Sequence, residues 1–177
     1  MHQDVKKILF SEELIREKCQ QIGKQITERY QGKTPLIVGL LKGSVPFMAE
    51  LVKYIEVDCT VDYMAVSSYN GTESEGDVKI VKDLDASIKG LDVIVVEDIV
   101  DTGKTLKKVK SMLYSKGANS VCIVTLLDKK ERREVEVDVD YSCFDCPNEF
   151  VIGFGLDFNQ KYRNLPYIGV LKEECYQ

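Results

Sequence analysis

The segment VVEDIVDTGKTL, Val95 to Leu106, ends an apolar run with two adjacent carboxylates, Glu97 and Asp98, adds a third at Asp101, and closes on Thr102, Gly103, Lys104 and Thr105. If TGKT opens a helix, its first backbone amides have no intrahelical acceptor and can bind an anion. Gly103 lets the backbone approach a phosphate closely, and the hydroxyls of Thr102 and Thr105 add donors, so the composition is that of a monophosphate cradle. Glu97 and Asp98 would repel a triphosphate held there. They are suited instead to accepting hydrogen bonds from ligand hydroxyls or to standing near a divalent cation. A ribose carrying a 5′-phosphate meets both halves. An isolated loop aspartate is more often solvated or a helix cap; three carboxylates leading into TGKT are not well described that way.

Two other chemistries fit less well. GKT invites a nucleotide-triphosphate loop, but that motif needs a glycine five residues before Gly103, where this chain has Asp98. Cys143 and Cys146 form a C-x-x-C pair, yet no second pair follows and His2 is the only histidine, so a zinc site lacks ligands. Cys19, Cys59 and Cys122 lie in apolar-patterned segments, where cysteine behaves as a small hydrophobe. A disulfide framework is therefore not expected.

The elements that must position the carboxylates follow from periodicity. Leu14, Ile15, Cys19, Ile22 and Ile26 recur at near-helical spacing behind Ser11, predicting an amphipathic helix from Ser11 to about Tyr30. Pro35 to Leu41 is a continuous apolar run, as in a strand buried on both faces. Ser44 to Tyr54 reads as helix with Pro46 in its first turn, Val57 to Val66 as strand, Ser67 to Asp77 as a polar loop and Val78 to Leu84 as a further strand. The apolar run after Gly90 is then followed by a helix from Gly103 to Lys116, with Leu106, Val109, Met112 and Leu113 on one face and Gly117 at its end, and by strand Val121 to Asp128. Strand, helix, strand in that order predicts a parallel sheet covered by helices, an α/β fold, with ligands beyond the strands' carboxyl ends at loops 41–44, 97–105 and 128–130.

At 177 residues the chain fits one domain. It has no apolar run of membrane-spanning length, and MHQDVKKILFSEEL lacks the features of a signal peptide, so a cytoplasmic location is expected. A net charge of -5 gives no global support to a nucleic-acid-binding role.

EDIVDTGKT resembles the donor-binding motif of purine phosphoribosyltransferases, specifically their hypoxanthine-guanine branch, and the likeness covers nearly the whole chain. LLKGS, Leu40 to Ser44, resembles that family's diphosphate-binding loop; SSY, Ser67 to Tyr69, its mobile lid; and FVIGFGLDFNQKYRNLPYIGVL its C-terminal base-binding region. The resemblance implies a type I phosphoribosyltransferase fold over residues 1–177, with a core of about 10–130 and a small hood formed by about 131–177 and part of the N-terminus. It implies transfer of phosphoribosyl from its diphosphate to hypoxanthine or guanine, dependence on Mg2+, and a homodimer or homotetramer with no nucleic-acid or membrane partner.

The resemblance also distributes roles. Glu97 and Asp98 would bind the ribose hydroxyls and, with Asp157, stand near magnesium. Asp101, Thr102, Gly103, Lys104 and Thr105 would hold the 5′-phosphate, Asp101 acting also as general base toward the purine. Lys42, Gly43 and Arg163 would serve the diphosphate, and Ser68 and Tyr69 the lid. Ile99, Lys129, Phe150, Val151 and Asp157 would form the base pocket: Lys129 donating to the 6-oxygen and disfavouring adenine, Phe150 stacking on the ring, Val151 offering backbone groups. The lid departs from the pattern by carrying Glu75 before Gly76. Competing readings are a xanthine-preferring enzyme, a regulatory protein that senses the donor, and a small NTPase.

Overall fold

Ser11 caps a helix as its place before the periodic segment predicts. In the computed structural model, which describes residues 1–68 and 78–176, its hydroxyl accepts a hydrogen bond from Leu14 N at 3.3 Å and the helix α1 runs Glu12–Arg29. Ile15, Cys19, Ile22 and Ile26 are buried, whereas Leu14 lies one position off that stripe and is 37% exposed. The first continuous apolar run is strand β2, Leu36–Leu40, buried at every residue. Helix α2, Val45–Leu51, follows with proline in its first turn and tightens into a 3-10 turn over Val52–Tyr54.

Among the described residues the remaining elements are β1 (Val5–Phe10), β3 (Thr60–Ser68), β4 (Val78–Lys82), β5 (Asp92–Val100), α3 (Lys104–Ser115), β6 (Ser120–Asp128), β7 (Tyr141–Asp145), β8 (Val151–Ile152) and β9 (Ile168–Leu171). They form a six-stranded sheet in the order β4-β3-β2-β5-β6-β7, parallel except for β4, and a three-stranded antiparallel sheet in the order β1-β9-β8.

Alternation along β5 and β6 explains why both runs are apolar throughout. Ile94, Val96, Cys122 and Val124 face α1 and α2, while Val93, Val95, Val121 and Ile123 face Leu106, Val109 and Leu113 of α3. A strand covered on both faces has no polar side to display. Each fully buried aliphatic side chain contributes about 1.5–3 kcal/mol, so the sheet's centre is where the fold is held hardest. The small sheet has its own apolar cluster of Val5, Ile152 and Leu171, backed by Phe158 and Tyr162.

Three expectations are corrected. β5 runs past Glu97 and Asp98 to Val100 because Glu97, Ile99 and Val100 stay in register with Thr125, Leu127 and Asp128 of β6, so the loop expected at 97–105 begins only at Asp101. Ser67 and Ser68 belong to β3 and pair with Lys79 and Val78, which shortens the expected polar loop at its start; Tyr69, Glu75 and Gly76 lie outside the described residues. The main sheet also passes residue 130, since Tyr141–Asp145 adds to it as β7 beside β6.

Candidate functional site

At the carboxyl end of β5 the two adjacent carboxylates turn onto their own backbone: Asp98 N donates to Glu97 Oε1 at 3.0 Å and Ile99 N to Asp98 Oδ1 at 2.7 Å. Burial pushes the Glu97 carboxyl well above the usual carboxylate range, and the neighbouring Asp98 adds to the shift. Asp98 is also raised by burial, an effect opposed by its hydrogen bonds to Glu97 and to backbone and by the charge of Arg163. Alternation sends Asp98 toward the start of α2, where Gly43 packs so closely that a Cβ would overlap its carboxylate. Gly43 O in turn abuts Gly155, so two glycines let the loop after β2, the carboxylate pair and the C-terminal segment meet.

Beyond Val100 the chain turns through Asp101 and Thr102 to Gly103, whose φ of 83° is left-handed, and α3 starts at Lys104. The first backbone bond within α3 runs from Lys107 N to Gly103 O at 3.0 Å. The amides of Gly103, Thr105 and Leu106 precede it and sit at the positive end of the helix dipole. Thr102 Oγ1 accepts from Lys104 N at 3.4 Å, and the Lys104 ammonium pairs with Glu134, so Lys104 offers the cleft backbone rather than charge. Residues Glu97 to Gly103 together with Thr105 and Leu106 line a cleft open to solvent. Asp101 stands in its wall. Arg132 Nε lies 3.0 Å from Asp101 Oδ1, a charge contact without the alignment of a hydrogen bond, since that buried oxygen has no hydrogen-bond partner among the described residues.

Lys129 leaves β6 with its amide bonded to Val100 O at 2.9 Å, which fixes it beside the end of β5. Its side chain turns inward, the residue being only 8% exposed, and Nζ donates to Glu149 O at 2.8 Å, immediately before Phe150. Lys129 and Asp101 come together around one thiol. Burial pushes Cys146 up to about 11, with Lys129 lowering it and Asp101 and Glu149 raising it. The C-x-x-C pair is thus split: Cys143 is raised by hydrogen bonding with the buried Cys19 thiol and by burial, and all six cysteines are free. Phe150 is 38% exposed, stacked on Tyr176 at 5.0 Å and edge-on to Phe158 at 5.5 Å, while Val151 is buried in β8 and Ile99 half-buried in β5.

A third group lies where the loop after β2 meets the segment 155–163. Arg163 donates to Gly155 O at 2.6 Å and to Gln160 Oε1 at 3.2 Å, and pairs with Asp157 at 3.0 Å; its buried Nε has no partner among the described residues. Lys42 Nζ reaches the same Gln160 oxygen at 3.5 Å, and the Leu41–Lys42 peptide is cis. Asp157 also accepts from Gln160 N at 2.8 Å. Among the described residues no three His, Cys, Asp or Glu side chains converge as a metal cage; Glu97 and Asp98 adjoin, and Asp157 is paired with Arg163.

Of the residues expected from sequence, Lys42, Gly43, Glu97, Asp98, Asp101 to Thr105 and Lys129 gather at the carboxyl edge of the main sheet, where Arg163 of the segment 155–163 meets them. Phe150, Val151 and Asp157 approach it from the small sheet and its following loop. Ser68 ends β3, and Tyr69 is outside the described residues. Sequence reasoning missed Asp128, Arg132, Arg133, Gln160 and Tyr176. Nothing in the pattern of the run KKERRE shows that Arg133 is mostly buried.

Known proteins resemble the chain closely. The family model for the phosphoribosyl transferase domain matches residues 5–159. A hypoxanthine-guanine phosphoribosyltransferase of Streptococcus agalactiae is 56% identical over 99% of this chain and 98% of its own. A solved hypoxanthine phosphoribosyltransferase from Staphylococcus aureus superposes with a TM-score of 0.96 at 50% identity, covering 100% of this chain and 97% of that one. The Trypanosoma cruzi enzyme in complex with its product IMP gives 0.94 at 40% identity, covering 99% of both. With a single domain model spanning most of the sequence and relatives alike from end to end, this chain belongs to the phosphoribosyl transferase family.

Proposed function

We infer that the chain transfers the 5-phosphoribosyl group of phosphoribosyl diphosphate to hypoxanthine or guanine, giving IMP or GMP and diphosphate. The observation that carries this reading is the juxtaposition of a carboxylate pair, a helix-start anion cradle and an inward-turned lysine at one sheet edge. In this reading the amides and hydroxyls of 102–105 hold the 5′-phosphate, Glu97 and Asp98 accept from the ribose hydroxyls, and Lys42 and Arg163 face the diphosphate. The purine nitrogen forms its bond to the anomeric carbon as the bond to diphosphate breaks; the electron pair leaves with diphosphate and the purine proton goes to Asp101. Preorganised cations at the leaving group are the kind of interaction that strengthens as charge develops.

Two adjacent carboxylates with a third nearby suit Mg2+, which is ordinarily held by one or two carboxylates plus substrate phosphates rather than by an all-protein cage. Glu97 and Asp98 would hold it with the donor, Asp157 standing near the diphosphate, and the ion would neutralise phosphate charge there. Lys129, already aimed at a carbonyl, would exchange Glu149 O for the 6-oxygen of the base, while a 6-amino group would leave it facing a donor. Phe150 would stack on the ring and Val151 would meet its edge. Ile99 would bound the pocket. We further take the protein to be a cytoplasmic homo-oligomer; no described helix is long and apolar enough to cross a membrane.

A spectrophotometric assay with Mg2+ and the donor, offering hypoxanthine, guanine, xanthine and adenine separately, tests the reading. Turnover of 6-oxopurines without adenine is expected. Adenine turnover would remove Lys129 from its role, and binding of the donor with no base consumed would favour a sensing protein.

A further inference from the structure

An anion cradle made of backbone works only if its peptide planes are held with their N–H groups inward, and the segment after β6 takes the opposite side of those planes. Arg133 Nε donates to Asp101 O at 3.2 Å, and Glu134 N and Val135 N both donate to Thr102 O, at 3.0 and 3.2 Å. In a trans peptide the carbonyl and the following N–H point in opposite directions. Fixing the Asp101 and Thr102 carbonyls therefore directs the Thr102 and Gly103 amides away from segment 133–137, toward the cleft that these residues line.

Arg133 is itself held: its guanidinium pairs with the Asp128 carboxylate, which is only 6% exposed at the end of β6, and donates to Val137 O at 3.4 Å. A fork with five donors can serve three acceptors at fixed angles; an ammonium cannot. The fit around the turn is close, since a Cβ at Gly103 would lie 2.8 Å from Arg133 Cδ and 2.9 Å from Val137 Cγ1.

We propose that Arg133 is a positioning residue for the 5′-phosphate, transmitting the rigid end of β6 to the cradle amides without touching the ligand. The inference rests on the phosphoribosyl reading of that loop and deepens it.

Steady-state kinetics of Arg133→Met and Arg133→Lys test it, with thermal unfolding measured in parallel. Arg133→Met is expected to raise the donor KM at least about tenfold and to weaken inhibition by IMP equally, while the hypoxanthine KM at saturating donor stays within about twofold, because only phosphate-bearing ligands use the cradle. Arg133→Lys, which keeps the charge opposite Asp128 but loses the fork, is expected to give a smaller rise in donor KM. A merely structural role would lower the folded fraction and hence the maximal rate, leaving the donor KM in place; that pattern, or a donor KM unchanged in both variants, would overturn the proposal. Should Arg133→Met not fold, the donor KM of Arg133→Lys decides alone. Wild-type protein that transfers nothing would instead defeat the functional reading beneath it.

Discussion

The two walls of the cleft are built in different ways. The wall at the end of β5 is contiguous in sequence: Glu97 to Thr105 run from strand into helix, and the sheet behind them is buried on both faces. The wall that carries Phe150, Asp157 and Arg163 is assembled from the small sheet and a loop with Asn159, Gln160 and Tyr162 at positive φ, held by side-chain contacts such as Tyr162 Oη to Asp4 Oδ2 at 2.8 Å. The first is rigid because backbone ladders fix it; the second depends on partners far away in sequence. The contrast suits a division of labour in which the donor's ribose 5′-phosphate is gripped by the stiff wall, while its diphosphate and the base are met between the two.

Perturbing the stiff wall should cost most. Asp101→Asn is expected to keep donor binding and slow transfer by about 10² to 10⁴-fold, the usual worth of a general base; single-turnover rates would check this, and an unchanged rate would remove Asp101 from that role. Gly103→Ala forces a Cβ onto a left-handed residue at φ 83° against Arg133 and Val137. At about 1–2 kcal/mol for that conformation, the donor KM should rise roughly tenfold.

Glu97→Gln should separate stability from function. The folded carboxyl titrates above its ordinary 4.5 because it is buried, so the folded state binds the proton more tightly than the unfolded state. Its favourable contribution is full below that ordinary value and is lost as pH rises through the raised one. The neutral amide escapes this loss. Melting curves at neutral pH should therefore show the variant higher by about 2–4 °C, as a change on the order of 1 kcal/mol gives in a chain of this size. The gap should close at acidic pH, and donor affinity should fall. In the assembled wall, Tyr162→Phe removes one partly buried hydrogen bond and should lower stability by only about 0.5–1.5 kcal/mol, seen as a small drop in midpoint with transfer intact.

The same contrast explains what could be read from the sequence. β5, α3 and β6 were legible because burial on both faces leaves an uninterrupted apolar run and a one-faced helix, and the anion cradle because glycine and hydroxyl residues sit where a helix begins. The extension of β5 beyond Glu97 and Asp98 to Val100 was not, since it rests on pairing of Ile99 and Val100 with Leu127 and Asp128 of β6. Arg133 and Gln160 were invisible because one partner of each, the Asp101 carbonyl for Arg133 and Lys42 for Gln160, is brought near only by tertiary structure. The roles of Phe150 and Asp157 came from resemblance alone; as residues, either would pass for ordinary core or surface.

The division of labour is tested most directly by Lys129→Ala, titrated with the donor in the absence of base and then assayed with hypoxanthine. Donor affinity within about twofold of wild type, with the hypoxanthine KM raised about tenfold or more, is the predicted result. Equal loss for donor and base would contradict the account, because Lys129 would then support the whole site rather than read the purine.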